Sequence, residues 1–313
     1  MGSAKLLSLE SAALAAEIRL LVGNEVKNGE IDRIVSKVAE QISSKDDPSL
    51  TSRLSDALSS LTSPTLRIAI LVVDFQNDFV SGSLTVKGGT QAIPTLNELL
   101  KDDSADMVVY TMDWHPPNHI SFLPHCRNSN DRRLSEADRA RSLKDFDEVT
   151  FDIPSVTQRL YPIHCVGGSW GADLYKEVYV VKEPYYVKKG KDVLIDSYSA
   201  FQDNGAHKKT ELADLLREHG VTAVIGVGLA YDICVQATLR DAVDAGFLAA
   251  IATDASAGLD EEGVAAANEL FRQRGIAILD KGGALSTLRR QTIPIQWVEQ
   301  RIKDALQDSL PSH

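Results

Sequence analysis

Cysteine is scarce in this chain: 313 residues carry three. An odd, low count argues against a disulfide framework and for a reducing compartment, the cytoplasm first, with nucleus and peroxisome left open. Long apolar runs are missing too. None approaches the roughly 20 residues that a membrane-spanning helix needs. The opening stretch MGSAKLLSLESAALAAEIRLLVG is apolar only in patches, is interrupted by Glu10 and Glu17, and has no clear cleavage site, which disfavours a signal peptide. Position 6 is Leu, so Gly2 lacks the Ser or Thr of a myristoylation signal. Basic excess is absent as well. The chain has 33 Lys and Arg against 44 Asp and Glu, a net charge of −11. Such a surface repels nucleic acid and anionic membranes, and the one basic cluster, RNSNDRRLSEADRARSLK, is interleaved with acids.

What is there points to a large α/β unit. About 43% of the residues are hydrophobic, enough for a domain of roughly 200–250 residues and a smaller appendage. Residues 1–64 show helical spacing in LESAALAAEIRLLVG, GEIDRIVSKVAEQI and SLTSRLSDALSSL, and then TSPT breaks the pattern. These residues read as a helical extension that packs, or forms a homo-oligomer contact. From Arg67 onward short apolar runs alternate with helical patterns: RIAILVVDF, DMVVYTMD, EVYVVKE, YYVKKG, VTAVIGVG, FLAAIATDA and IAILD are the expected strands. Helices are expected in TQAIPTLNELLKD, KKTELADLLREHG, CVQATLRDAVDAG and EEGVAAANELFRQRG. Alternation of this kind predicts a parallel sheet with helices on both faces, in a domain spanning 65–295. Residues 126–160 show no strand pattern and read as an inserted surface loop with one helix in LSEADRARSLKDF; residues 296–313 read as a C-terminal amphipathic helix and tail.

Parallel sheets build their sites beyond the carboxyl ends of the strands. Three strand ends carry reactive residues. Asp74 ends LVVDFQNDF, where a buried carboxylate must be paired or functional, and Asp78 nearby is read as fixing the loop. Lys189 follows YYV, beside Lys188, and pattern alone does not separate the two. Cys234 follows GLAYDI: Gly228 permits a tight exit, Asp232 would cap the next helix, and a first-turn thiol there would have a lowered pKa. Brought together, these residues would supply a nucleophile, a proton carrier and a supporting cation, which is the chemistry of acyl transfer.

A second constellation follows DMVVYTMD. In TMDWHPPNHISF, Asp113 and His115 stand two apart on extended chain and can face one ion, and YPIHCVGGSWGADL adds His164 beside Cys165. One carboxylate and two imidazoles leave open positions, as a catalytic metal site does, and suit Zn²⁺ foremost, with Fe²⁺ or Mn²⁺ as alternatives. His119 and His125 compete by spacing alone.

Taken together, LVVDFQNDF, TMDWHPPNHISF, YPIHCVGGSWGADL, VKKGKDVLIDSYSAF and GVGLAYDICVQATLRDA resemble the nicotinamidase branch of the isochorismatase-like cysteine hydrolases, over about Arg67 to Leu288. The resemblance implies a six-stranded parallel sheet and hydrolysis of nicotinamide to nicotinate and ammonia in NAD salvage. It implies a triad of Asp74, Lys189 and Cys234 and metal ligands Asp113, His115 and His164. It further implies a cis peptide at Leu229–Ala230, an oxyanion hole from the N–H groups of Ala230 and Cys234, and ring-pocket aromatics Phe79, Tyr161 and Tyr198. Tyr161 departs from the family's usual Trp, and Ser169–Trp170 replaces a Thr and a small residue; the 1–64 and 126–160 segments lie outside the core pattern. The runner-up is a related amidase acting on pyrazinamide or another ring or carbamoyl amide. Isochorismate hydrolysis, which needs no cysteine, and a non-catalytic binding protein follow.

Overall fold

In a computed structural model the described residues are 2–24, 26–44, 50–62, 64–127 and 131–307. Parts of the expected extension (Met1, Glu25, 45–49 and Ser63 of TSPT), of the expected inserted loop (128–130) and of the tail (308–313) therefore lie outside them. Three helices come first: α1 (Gly2–Val22), α2 (Asn28–Ser44) and α3 (Leu50–Ser59). In α3 the four-residue spacing of Leu50, Leu54 and Leu58 makes one buried stripe. Ile18 of α1 and Ile31, Ile34 and Val38 of α2 are buried with them. This layer is continuous with the core of the sheet that follows.

Along the chain come β1 (Ile68–Val73), the single turn α4 (Asn77–Val80), α5 (Gly89–Lys101), β2 (Met107–Asp113), β3 (Arg133–Leu134), α6 (Glu136–Ala140), β4 (Glu148–Ile153) and β5 (Ser155–Arg159). Then follow β6 (Tyr185–Lys189), α7 (Leu212–Glu218), β7 (Ala223–Leu229), α8 (Gln236–Asp244), β8 (Leu248–Ala257), α9 (Glu261–Gln273), β9 (Ala277–Leu279), α10 (Lys281–Leu288) and α11 (Ile295–Gln307). Six strands form one sheet in the order β6-β2-β1-β7-β8-β9, with every pairing parallel. All six residues of β1 are buried. Period-two alternation divides them: Ile68, Ile70 and Val72 join one core with α5, α10, α11 and the N-terminal helices, while Ala69, Leu71 and Val73 join another with α7, α8 and α9. The expected parallel sheet with helices on both faces is what the chain forms. No described helix is long and apolar enough to cross a membrane.

Two expectations are corrected. Residues 177–183 (EVYVVKE) form no strand. Their backbone is satisfied by side chains instead: Asn97 Nδ2 donates to Glu177 O, Tyr179 N to Asn97 Oδ1, and Tyr110 Oη to Tyr179 O while accepting from Val181 N. The 131–160 region is not a bare loop. Strands β3, β4 and β5 pair into an antiparallel sheet with its own small core, in which Val149 and Phe151 alternate with exposed residues. The helix expected in LSEADRARSLKDF shrinks to α6, capped where Ser135 Oγ accepts from Asp138 N at 3.2 Å.

Candidate active site

The site lies where β1, β2, β6 and β7 end. Asp74 leaves β1 with φ 52°, and its Oδ1 accepts from Thr111 Oγ1 at 2.7 Å. The neighbouring strand comes close because Gly228 has no side chain: a Cβ there would meet Val73 O at 2.1 Å, at φ +134°. Alternation along β6 resolves the two lysines. Lys188 faces outward with its ammonium 3.4 Å from the centre of the Trp114 ring, and Lys189 faces inward, 1% exposed.

The Lys189 ammonium gathers the reactive groups. Its Nζ stands 2.9 Å from Asp74 Oδ2, 3.4 Å from Cys234 Sγ, 2.5 Å from Asp113 Oδ1 and 3.0 Å from Ser197 O. Burial alone would lower the Lys189 pKa, but Asp113 and Asp74 outweigh it and hold the ammonium charged. Burial raises the Asp74 carboxyl against the pull of Lys189.

Cys234 sits differently from the sequence expectation. Residues Tyr231–Val235 form a wide π-type turn before α8, and Ile233 N and Val235 N both donate to Ala230 O. Asp232 is not a cap; its carboxylate accepts from Leu259 N and Asp260 N. The thiol pKa is not lowered either. Burial pushes it well above its ordinary value, with Lys189 pulling only part of the way back. A thiol so placed would need a base to give up its proton. The Leu229–Ala230 peptide is cis, as the resemblance implies.

The three residues read as metal ligands are together and buried. Asp113 Oδ2 is 3.4 Å from His115 Nε2 and 3.9 Å from His164 Nε2, and one ligand atom from each lies within 4.8 Å of the others. Each imidazole is turned by a backbone carbonyl: His115 Nδ1 meets Gly190 O at 2.9 Å, and His164 Nδ1 meets Pro162 O at 2.9 Å. With Nδ1–H donating there, Nε2 carries the lone pair toward Asp113. His115 Nε2 is buried with no hydrogen-bond partner among the described residues, an orphan that a cation would satisfy. Burial would raise the Asp113 carboxyl, but Lys189 and His115 hold it well below the carboxylate range, and burial lowers His164 to about 4. A charged carboxylate with two imidazoles fits a divalent ion.

Of the competing histidines, His125 stays half-buried on a short turn at Leu123–His125. His119 comes much closer: its ring stacks on His115 with centroids 4.1 Å apart, Nδ1 meets Ser121 Oγ at 2.7 Å, and Nε2 is 3.9 Å from Asp196 Oδ1. Asp78 fixes loops, as expected, by accepting from Cys165 N at 2.7 Å and Ser83 N at 3.1 Å.

A narrow cavity opens onto Cys234 and Asp113. Phe79, Tyr161 and Tyr198 all line it, with Leu84, Val86, Asp196, Ile233 and Leu259. Sequence reasoning missed the last five. It also missed Gln76, whose amide grips the end of β2 by donating to Asp113 O and Ala172 O and accepting from Asp113 N, each at 2.8 Å. Gln76 lies inside LVVDFQNDF and Asp196 inside VLIDSYSAF, each at the polar end of an apolar run, which is the signal that could have found them.

Comparison with known proteins gives the family of the domain. Residues 68–282 match the model of the isochorismatase domain. Over 196 residues the chain is 38% identical to the nicotinamidase of Acinetobacter baylyi, a match covering 62% of this chain and 83% of that protein. The solved nicotinamidase/pyrazinamidase of Acinetobacter baumanii superposes with a TM-score of 0.61 at 32% identity, covering 71% of this chain and 99% of that one. The pyrazinamidase of Pyrococcus horikoshii, solved in complex with zinc, superposes with a TM-score of 0.53 at 31% identity, covering 68% and 99%. Helices α1–α3 precede the matched region.

Proposed function

The chain belongs to the isochorismatase family, and from that premise we propose that it hydrolyses nicotinamide to nicotinate and ammonia through a thioester on Cys234, a step of NAD salvage. The observation that carries this reading is the position of the Lys189 ammonium, 2.9 Å from the Asp74 carboxylate and 3.4 Å from the Cys234 sulfur. A cysteine beside both a buried carboxylate and a buried cation has the parts for covalent amide cleavage.

In the proposed cycle Asp74 takes the proton from Cys234 Sγ, and the sulfur attacks the amide carbon. The oxyanion of the tetrahedral intermediate is received by the N–H groups of Ala230 and Cys234, with the Lys189 charge nearby. Asp74 returns the proton to the amide nitrogen as the C–N bond breaks, and ammonia leaves. A water, giving a proton to Asp74, attacks the thioester; nicotinate departs and the sulfur regains its proton. Phe79, Tyr161 and Tyr198 enclose the ring. Asp113, His115 and His164 would hold a divalent ion, zinc foremost, which supplies a Lewis-acid contact for the ring nitrogen and so orients the substrate.

The test is ammonia release from nicotinamide beside pyrazinamide and a set of ring and aliphatic amides, before and after verified metal removal. Nicotinamide is expected to be turned over with the highest kcat/KM, and metal removal to raise KM more than it lowers kcat. No ammonia from nicotinamide at full metal content overturns the assignment. A higher kcat/KM for pyrazinamide would transfer it to the second ring amide, the activity in the names of two of the similar proteins.

A further inference from the structure

The antiparallel sheet β3-β4-β5 sends one residue into the wall of the active-site cavity. On β5 Gln158 is the buried position, 1% exposed, between the exposed Thr157 and Arg159. Its amide nitrogen is 2.7 Å from Arg159 O, 3.0 Å from Asp196 Oδ2 and 3.3 Å from Tyr198 Oη. Its Oε1 has no hydrogen-bond partner among the described residues. A buried amide left half-satisfied costs more than a leucine of similar size at the same place. The packing of a small sheet does not call for it, so the groups it holds are the reason to look further.

Both of those groups line the cavity that opens onto Cys234. Asp196 is a buried carboxylate whose other oxygen accepts from Ser197 N at 2.8 Å, and its carbonyl accepts from Asn204 N at 2.8 Å. Its backbone is thereby fixed, while one carboxylate oxygen relies on Gln158. Tyr198 Oη stands 3.4 Å from Tyr161 Oη, with the two rings edge to face at 6.5 Å. One amide thus holds the second oxygen of Asp196, the only acid besides Asp113 among the described residues of the cavity wall, and it anchors the hydroxyl end of an aromatic pair.

We propose that Gln158 is a positioning residue for catalysis. From the antiparallel sheet it fixes the Asp196 carboxylate and the Tyr198 hydroxyl, so that the ring of the substrate meets a preformed wall rather than one it must order on binding. The proposal rests on the reading of the site as a small-amide hydrolase and names the part of the fold that tunes its fit.

The test compares wild type, Gln158→Leu, Asp196→Asn and the double variant, all with metal bound. Measurements are KM and kcat for nicotinamide, and unfolding midpoints. Gln158→Leu is expected to raise KM about tenfold while kcat falls by less than about threefold, with an unchanged midpoint. The double variant should be little worse than the poorer single variant, because both remove one interaction. A KM within twofold of wild type overturns the proposal, as does a change that only follows a lowered midpoint. If wild type releases no ammonia from nicotinamide, it is the proposed function that fails; the same four proteins are then compared on the amide of the panel that is turned over, with the same criteria.

Discussion

Lys189 on β6 stands in register with Asp113 on β2, and its ammonium reaches that carboxylate at 2.5 Å while also touching Asp74 and Cys234. Parallel pairing of two strands therefore places one cation between Asp74, the proposed base, and Asp113, a proposed metal ligand. The two halves of the site are not separate clusters. That charge, with His115, holds Asp113 ionised against burial, whereas at Asp74 it only opposes a rise that burial wins.

Replacing that charge should be costly twice over. Lys189→Met leaves Asp74 and Asp113 facing each other without a cation. We expect a loss of about 3–5 kcal/mol in stability and of about a thousandfold or more in kcat. Denaturant unfolding and ammonia release measure the two effects. Retained stability would show that the carboxylates shed their charge together, and retained activity would remove Lys189 from the chemistry.

The three thiols should separate cleanly. Cys234 is the one that touches Lys189 and lines the cavity; Cys126 lies in the small core of the antiparallel sheet, and Cys165 is fully buried with its sulfur 3.8 Å from Gly171 O. Cys234→Ala is expected to lower ammonia release by about a thousandfold or more, and mass spectrometry of the quenched wild-type enzyme should find an acyl adduct on Cys234. Cys126→Ala and Cys165→Ala should stay within about threefold of wild-type kcat/KM. Full activity of Cys234→Ala would remove the nucleophile.

Much of this was legible before any coordinates. The parallel sheet followed from repeated apolar runs, and β1 and β7 carry residues that only a doubly covered strand would carry. Asp74 ends such a run and Cys234 follows one across a short turn, whereas pattern leaves Lys188 and Lys189 equivalent and only the family resemblance selects Lys189. What escaped has physical causes. β4 was hidden because Val149 and Phe151 alternate with charged and polar neighbours over too short a stretch to stand out. The false strand at 177–183 has strand-like composition, but side chains from α5 and β2 supply its hydrogen bonds. The pKa of Cys234 was misjudged because position in a turn can be guessed from sequence, whereas depth of burial cannot.

Asp138 should act as an acid-sensitive clasp of the antiparallel sheet. Its Oδ2 accepts from Thr150 N on β4 at 2.8 Å and from Ser135 Oγ at 2.8 Å. The Thr150 bond leads in holding its carboxyl below the usual value. A depressed folded pKa contributes stability above the unfolded value of about 3.9 and loses it as pH falls through the folded value. Hydrogen exchange at the Thr150 amide should thus be well protected near neutrality and lose protection on acidification, after correction for the intrinsic rate. Asp138→Ala should lower that protection by about 1–2 kcal/mol at neutral pH and flatten its acid dependence. Protection in Asp138→Ala equal to wild type would show that strand pairing alone secures β4.

Gly190 should decide whether His115 can serve as a ligand. Its φ is +66°, and a Cβ there would lie 2.4 Å from His115 Cε1 and 2.5 Å from Nδ1. A methyl group would push the ring off the Gly190 carbonyl that orients it. Gly246 has φ +91° but nothing within 4 Å of its Cβ position. Alanine at either place carries the left-handed backbone cost of about 1–2 kcal/mol, and only at Gly190 does it also strike an imidazole. Gly246→Ala is therefore expected to lose that much stability and to keep its metal on dialysis against a competing chelator. Gly190→Ala should bind metal about 10–100-fold more weakly, the range for a lost outer-shell contact. Elemental analysis of the two dialysed proteins reads the difference. Equal metal content in both would mean that the His115 ring can give way without loss, and that the Gly190 contact does not set its orientation.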